Sequence, residues 1–365
     1  INRDKLSILF SHQARNLFDK AWQLIATPAK MKKVGVNKDA NLLCFLQLSY
    51  IAGYICKRLI GCEYTICIRT NPLAYYQYVS GIKLPMFLFK HLLRQADHVI
   101  ANSKRTAYQL EQHFGLDHVH TITNGYDVEK LHKMSQTLPD AFVPLYEKHK
   151  VLVHTGRLAY DKGQWHLLRV FAEVVKQDPT VRLLLLGRGP YLPKLQQLCV
   201  DLGLSFSNVD ESQNEIDTQH QVLFCGFRSN PYAFYPKAKL FLFPSIYEGL
   251  PNAPLEALIC GLPCFLSDCI SGPREILFPD DIHVPVTHEA RTSKYGVLFP
   301  PFDGKENFSA NSLQPLEKMW SQEILRFLHQ EDCLLAIQQN THEIAEQYSD
   351  EVSAKQWVRF CENRH

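Results

Sequence analysis

Two glutamates, Glu248 and Glu256, carry the first chemical signal in this 365-residue chain, inside the run EGLPNAPLE. Ionised carboxylates only accept hydrogen bonds, and each can take both hydroxyls of a vicinal diol. Between them the pattern places a helix N-terminus. Pro244 ends an apolar run, Asn252 is placed as N-cap, Pro254 falls in the first turn with Glu256 beside it, and Gly261 stands where the helix should stop. Unpaired N–H groups and the positive end of the helix dipole favour an anion there, a phosphate above all. A diphosphate flanked by two diols describes a nucleotide sugar. Spacing alone leaves a second reading open, in which Glu248 is a solvated loop residue and Glu256 only complements the dipole.

Two cations stand in a comparable place. Arg157 and Lys162 follow the apolar run VLVHT, spaced so that a loop and a helix start could aim both at one diphosphate, or leave both as solvated charge. Gly187, Arg188, Gly189 and Pro190 follow VRLLLL as a phosphate cradle or a tight turn; the third glycine of a dinucleotide fingerprint is missing. Cys260, Cys264 and Cys269 lack a paired CxxC and give no metal site, and no Asp-x-Asp metal motif occurs.

The elements that must hold these residues alternate. After residue 146 the order reads strand VLVHTGRL, helix Gln164 to Lys176, strand VRLLLLG, helix Pro193 to Leu202, strand VLFCGF, helix Pro231 to Ala238, strand LFLFP, with Asn208 to His220 a polar surface loop. That alternation implies a parallel, doubly wound α/β sheet with ligands at the carboxyl ends of its strands. Residues 1–146 contain further strands at NLLCFLQLS, YTICIR, ADHVIA and TIT, and a helix at Leu84 to Arg94 that either dips into lipid or packs on its own sheet. Phe10 to Ile25 has helical spacing and Lys30 to Lys38 is a basic turn. Thr137 to Lys150 reads as the interdomain connection, and helices fill Leu313 to Tyr348 and Val352 to Cys361.

Several of these segments together are similar to a known family. EGLPNAPLE resembles the two-glutamate motif of retaining glycosyltransferases of family four. GRLAYDKGQWHLLRVFAEV, VRLLLLGRGP and SGPREIL resemble that family's other signatures in the expected order, over nearly all of the C-terminal half. The resemblance implies a GT-B fold, two Rossmann-like doubly wound domains facing a cleft: residues 1–146 on the acceptor side, 147–340 binding the nucleotide sugar, and 341–365 as helices that cross back to the first domain. It implies transfer of a hexose or N-acetylhexosamine with retention, Glu248 taking sugar hydroxyls and Glu256 the ribose diol. Backbone N–H groups of Gly249, Leu250 and Leu255 then face sugar and phosphates, Gly187 and Gly189 lie by the donor, and Phe227 lies where the base rests, unless it is core. Arg157 and Lys162 would neutralise the leaving diphosphate. Arg69 stands where many members carry a histidine or arginine at the reaction centre; it would act on the diphosphate or acceptor, or form a structural ion pair. Ser271 and Arg274 read as a cap and a helix start. No carboxylate is placed as an enzyme nucleophile in the manner of retaining hydrolases, which favours a front-face route. The resemblance favours a UDP-sugar over a GDP-sugar, no metal, and a lipid-linked oligosaccharide or lipopolysaccharide acceptor. A GT-B first domain begins with a strand and a glycine-rich loop, which the first 40 residues do not show. A truncated or altered first unit is therefore expected, and a non-catalytic nucleotide-sugar-binding partner or a GT-B phosphorylase or epimerase stand as alternatives.

Composition sets bounds. The chain is 46% hydrophobic and 21% charged, ordinary for a globular protein of two domains. Its eleven cysteines sit mostly in apolar runs, which points to reduced thiols and a cytoplasmic setting. No run approaches the roughly 20 apolar residues of a membrane span, no secretory-signal pattern opens the chain, and it begins with Ile1, which leaves its true start open. Residues 1–146 hold 18 Lys and Arg against 10 Asp and Glu, a balance of +8; the remainder holds 21 against 27, or −6, and the two sum to the overall +2. A basic first half suggests an anionic partner such as the inner membrane face or a pyrophosphate-linked acceptor. Nucleic acid is set aside, because the basic residues are scattered and no stacking aromatics accompany them.

Overall fold

The computed structural model describes residues 26–78, 84–117, 119–210 and 215–362. The helix expected at Phe10 to Ile25 lies outside them, as does most of the stretch where a first strand and glycine-rich loop would stand. Among the described residues, contacts divide the chain into two compact units, the first up to Pro72 and from Leu84 to Ile122, the second formed by Leu73–Tyr78 and everything from Thr123 onward.

The first unit is a parallel four-stranded sheet in the order β1 (Asn41–Cys44), β2 (Glu63–Ile68), β3 (His98–Ala101), β4 (His120–Thr121). β1 is shorter than the apolar run suggests, because the helix Gln47–Ile60 starts within it; that helix ends at Gly61, whose φ of 82° suits a residue without a Cβ. Ser103 caps the helix Lys104–Phe114 by accepting from Thr106 N–H. The helix Met86–Gln95 buries Phe89, Leu92 and Leu93 in this unit and leaves Phe87 76% exposed, so its apolar side is mainly a packing face.

The second unit carries an eight-stranded sheet, β11-β12-β10-β9-β5-β6-β8-β7: β5 (Lys150–Thr155), β6 (Val181–Leu186), β7 (Phe206–Asn208), β8 (Val222–Phe224), β9 (Leu240–Phe243), β10 (Cys264–Ser267), β11 (Arg291–Ser293) and β12 (Gly296–Phe299). All pairs are parallel except β11–β12. Alternate residues of one strand enter opposite layers: Val151 and Val153 of β5 join one core and Leu152 the other. Strands buried on both faces explain why they read as continuous apolar runs. The helices Gln164–Gln177 and Pro315–His329 pack on one another over the second layer.

Three local expectations change. Thr137 to Lys150 is no loose connection: it holds a 3-10 turn at Asp140–Phe142 and the helix Val143–Lys148, with Phe142 and Leu145 buried in the second unit's core. The helix expected at Pro231 to Ala238 is a single 3-10 turn, Pro231–Phe234, because Pro236 would remove an N–H and clash with the preceding turn. The edge strands β7 and β11 have no counterpart in the sequence pattern, being short and only partly buried.

Candidate donor-binding site

Five loops at the carboxyl ends of β5, β6, β8, β9 and β10 converge in the second unit, and backbone hydrogen bonds lock them together. Gly156 N–H donates to Leu186 O at 2.9 Å, Leu158 N–H to Arg188 O at 3.0 Å, Gly187 N–H to Gly226 O at 2.7 Å and Ile246 N–H to Asp161 O at 2.9 Å. The close approach dictates glycine. A Cβ on Gly187 (φ 150°) would lie 1.9 Å from Gly156 O, and one on Gly189 would lie 2.2 Å from Leu158 O.

Charged residues gather on this platform. Lys162 Nζ lies 2.5 Å from Glu248 Oε1 and 3.5 Å from Asp161 Oδ2, while Arg157 Nη2 donates to Asp161 Oδ1 at 2.8 Å. The structure thus brings Arg157, Lys162 and Glu248 together, with Asp161 as the tether. Lys162 and Glu248 are largely buried, whereas the Arg157 side chain is 65% exposed. Burial opposes the charge on Lys162, but the Glu248 and Asp161 carboxylates outweigh it and hold the amine above its ordinary value. The result is a fixed ammonium at the carboxyl end of a parallel sheet, where an anionic group of a ligand would be met.

The residues beneath were not singled out in the sequence. His154, fully buried, donates from Nδ1 to Leu242 O at 2.8 Å and accepts at Nε2 from Gln164 Nε2 at 3.1 Å, and Gln164 also donates to Arg157 O at 2.8 Å. Burial pushes the imidazole down to about 4, so it is neutral and both nitrogens are engaged. It fixes the Arg157 loop and is unavailable as a base. The only available signal was its place in HTGRL.

The helix Asn252–Ile259 begins one residue earlier than read: Pro251 is the N-cap and makes no side-chain capping bond. Asn252 is unavailable as a cap because its Oδ1 accepts from Asn124 Nδ2 at 2.6 Å and Tyr126 Oη at 2.8 Å. Glu256 consequently sits in the second turn rather than the first. At the other end Gly261 (φ 84°) closes the helix as expected, with Leu262 N–H donating to Ala257 O at 2.9 Å. Burial beside Tyr232, Tyr235 and Cys260 pushes Glu256 up to about 6. A raised carboxyl favours the folded state fully below its ordinary value near 4.5, and that contribution fades as pH rises through about 6. The ligand-free Glu256→Gln variant should therefore be more stable than the parent by about 1–2 kcal/mol at pH 8 and no different at pH 4, as thermal melts across that range would show.

Phe227 is 61% exposed at the carboxyl end of β8, which rules out the core alternative. Gly249, Leu250 and Leu255 lie in the β9 loop and following helix as read. Arg69 belongs to the first unit, exposed after β2, with its carbonyl accepting from Asn102 Nδ2 at 3.2 Å. One residue differs from expectation: Ser271 does not cap its helix, since Gly272 is the N-cap and the Ser271 hydroxyl reaches Glu248 O and Gly249 O instead. Arg274 lies in the first turn of that helix as expected, fully buried against Asp268. Burial keeps the Cys260, Cys264 and Cys269 thiols protonated. Among the described residues no three His, Cys, Asp or Glu side chains are grouped to hold a metal, and no helix is long and apolar enough to cross a membrane.

Comparison with known proteins agrees with this architecture. The family model for glycosyl transferases group 1 matches residues 135–292, and that for glycosyltransferase family 4 matches residues 68–130. A protein of Methanocaldococcus jannaschii named as an uncharacterized glycosyltransferase is 30% identical over 383 aligned residues, covering 99% of this chain and 89% of the relative. The N-acetylgalactosamine-N,N'-diacetylbacillosaminyl-diphospho-undecaprenol 4-alpha-N-acetylgalactosaminyltransferase of Campylobacter jejuni is 32% identical over 69% of this chain and 64% of its own length. Among solved structures, HepE of Anabaena in complex with UDP-glucose superposes with a TM-score of 0.68 at 18% identity, covering 96% of this chain and 84% of HepE. The fold is thus GT-B, and the chain belongs to the glycosyl transferases group 1, as a glycosyltransferase.

Proposed function

We propose that this enzyme moves a hexose or N-acetylhexosamine from a UDP-sugar, with retention at the anomeric carbon, to a lipid-linked glycan or lipopolysaccharide intermediate. The observation that carries the proposal is the Lys162–Glu248 pair at 2.5 Å on the converged loops, with Arg157 joined to it through Asp161. Lys162 and Arg157 neutralise the charge that develops on the departing diphosphate, a transition-state effect that needs no metal. Glu248 takes sugar hydroxyls, Glu256 the ribose diol, and the exposed ring of Phe227 the base. The N–H groups of Gly249, Leu250 and Leu255 face sugar and phosphates, and the Gly187–Gly189 turn lies by the donor. With His154 neutral and both its nitrogens engaged, the departing phosphate itself removes the acceptor proton.

A UDP donor is supported by HepE, solved with UDP-glucose, and a lipid-linked acceptor by the name of the Campylobacter relative. Arg69 is assigned to the acceptor or the leaving diphosphate. The basic first half, with Phe87 exposed between Met86 and Lys90, suits peripheral contact with an anionic membrane face.

Calorimetry with UDP, GDP and ADP in EDTA tests the donor site. UDP should bind without metal, at least tenfold more weakly to Lys162→Ala. Arg157→Ala, whose exposed side chain contributes little to packing, should weaken UDP threefold or more without lowering the melting temperature. Failure of all three nucleotides to bind the parent, or unchanged affinity in both variants, would overturn the assignment.

A further inference from the structure

We infer that Ser271 is a positioning residue for the donor sugar, acting through the Glu248–Gly249 peptide; the inference rests on the reading that Glu248 holds sugar hydroxyls. Ser271 is fully buried, and at φ 93° it is the one non-glycine residue with a left-handed backbone among the described residues. Such conformations collect where surrounding structure over-determines them, often at functional sites. Glycine would suit this backbone without strain, so the hydroxyl is what serine adds. It does not serve the helix Pro273–Leu277, whose N-cap is Gly272 without a side-chain bond. Instead Ser271 Oγ lies 2.9 Å from Glu248 O and 2.8 Å from Gly249 O, its hydrogen directed to these two carbonyls.

Neighbouring contacts make this a seam. Tyr247 and Ile270 form a parallel bridge, and Gly272 N–H donates to Gly249 O at 2.8 Å. A Cβ at Gly272 would lie 2.2 Å from that same oxygen, so the two loops run in backbone contact from 247 to 249 and from 270 to 272. A trans peptide sets its N–H opposite its carbonyl, so turning both carbonyls toward Ser271 directs the Gly249 and Leu250 N–H groups away from it. The same anchoring fixes the Cα of Glu248, whose carboxylate then meets Lys162. Ser271 thereby sets both the carboxylate and the amides of the proposed sugar subsite, without touching the sugar.

The test compares UDP with UDP-sugar. Calorimetric affinities for UDP, UDP-glucose, UDP-galactose and their N-acetyl counterparts are measured on the parent, Ser271→Ala and Ser271→Gly, with melting temperatures alongside. The preferred UDP-sugar should bind both variants at least tenfold more weakly than the parent, while UDP stays within threefold. Ser271→Gly, freed of backbone strain, should melt above Ser271→Ala yet lose the sugar equally. A merely structural serine would weaken UDP and UDP-sugar together, or weaken neither, and either result overturns the inference. A parent that binds UDP but no UDP-sugar overturns the Glu248 reading and this inference with it; a parent that binds no nucleotide overturns the donor site as a whole.

Discussion

Glu248→Gln should lower kcat/KM for transfer by about 10²–10³-fold, the range seen when one preorganised polar group is removed from a transition-state site. The substitution keeps shape and removes charge. Hydrogen bonds to ionised groups are worth about 1.5–3 kcal/mol each, roughly double the neutral ones, so exchanging carboxylate for amide weakens every sugar hydroxyl contact. Among the described residues it also leaves Lys162 with only Asp161, 3.5 Å away, as an anionic neighbour. UDP affinity should change less than threefold, since the ammonium remains to meet the diphosphate. Release of UDP from the preferred UDP-sugar, followed with an acceptor that supports turnover, gives kcat/KM, and calorimetry with UDP gives the affinity. Retention of more than a tenth of parental kcat/KM would remove Glu248 from the sugar subsite.

That Glu248 could be named from sequence follows from how a doubly wound fold distributes information. Its central strands are mainly apolar, so polar residues stand out in the loops that follow them, and Arg157, Lys162 and Glu248 were candidates on this ground, whereas Phe227 was a candidate only through the family resemblance. Residues acting through a partner were not. Asp161 is an ordinary loop acid until the fold sets Arg157 on one side and Lys162 on the other. His154 lies inside a strand and gains its role from Leu242 and Gln164, each distant in the chain or reached around a loop. Ser271 resembled a helix cap because caps and positive-φ turns draw on the same small polar residues. Boundaries failed for a related reason: Asn252 has ideal cap chemistry, yet Asn124 and Tyr126 claim its oxygen, a tertiary contact that no local pattern contains.

Arg274 stands in the first turn of a helix, and its replacement should be strongly destabilising to the second unit. Its Nε donates to Asp268 Oδ1 at 3.0 Å and its Nη2 to Oδ2, both side chains being fully buried, while Thr287 N–H donates to the same Oδ2 at 2.8 Å. Removing one partner of a buried pair strands the other charge, which costs about 3–5 kcal/mol, although the intact pair contributes little beyond an apolar replacement of similar volume. Arg274→Met should therefore lower stability by about that amount. Arg274→Met combined with Asp268→Asn, which removes the stranded charge and keeps an acceptor for Thr287, should recover more than half of it. Denaturation followed by tryptophan fluorescence, to which the buried Trp165 and Trp320 of the same unit contribute, reads both variants. Full loss in the double variant would mean that the guanidinium acts through packing rather than through Asp268. The consequence reaches the site, because Asp268 and Arg274 bracket the turn that carries Ser271 and Gly272. A chain that loosens at Arg274 should lose UDP-sugar affinity before it loses UDP affinity, and the double variant should restore both.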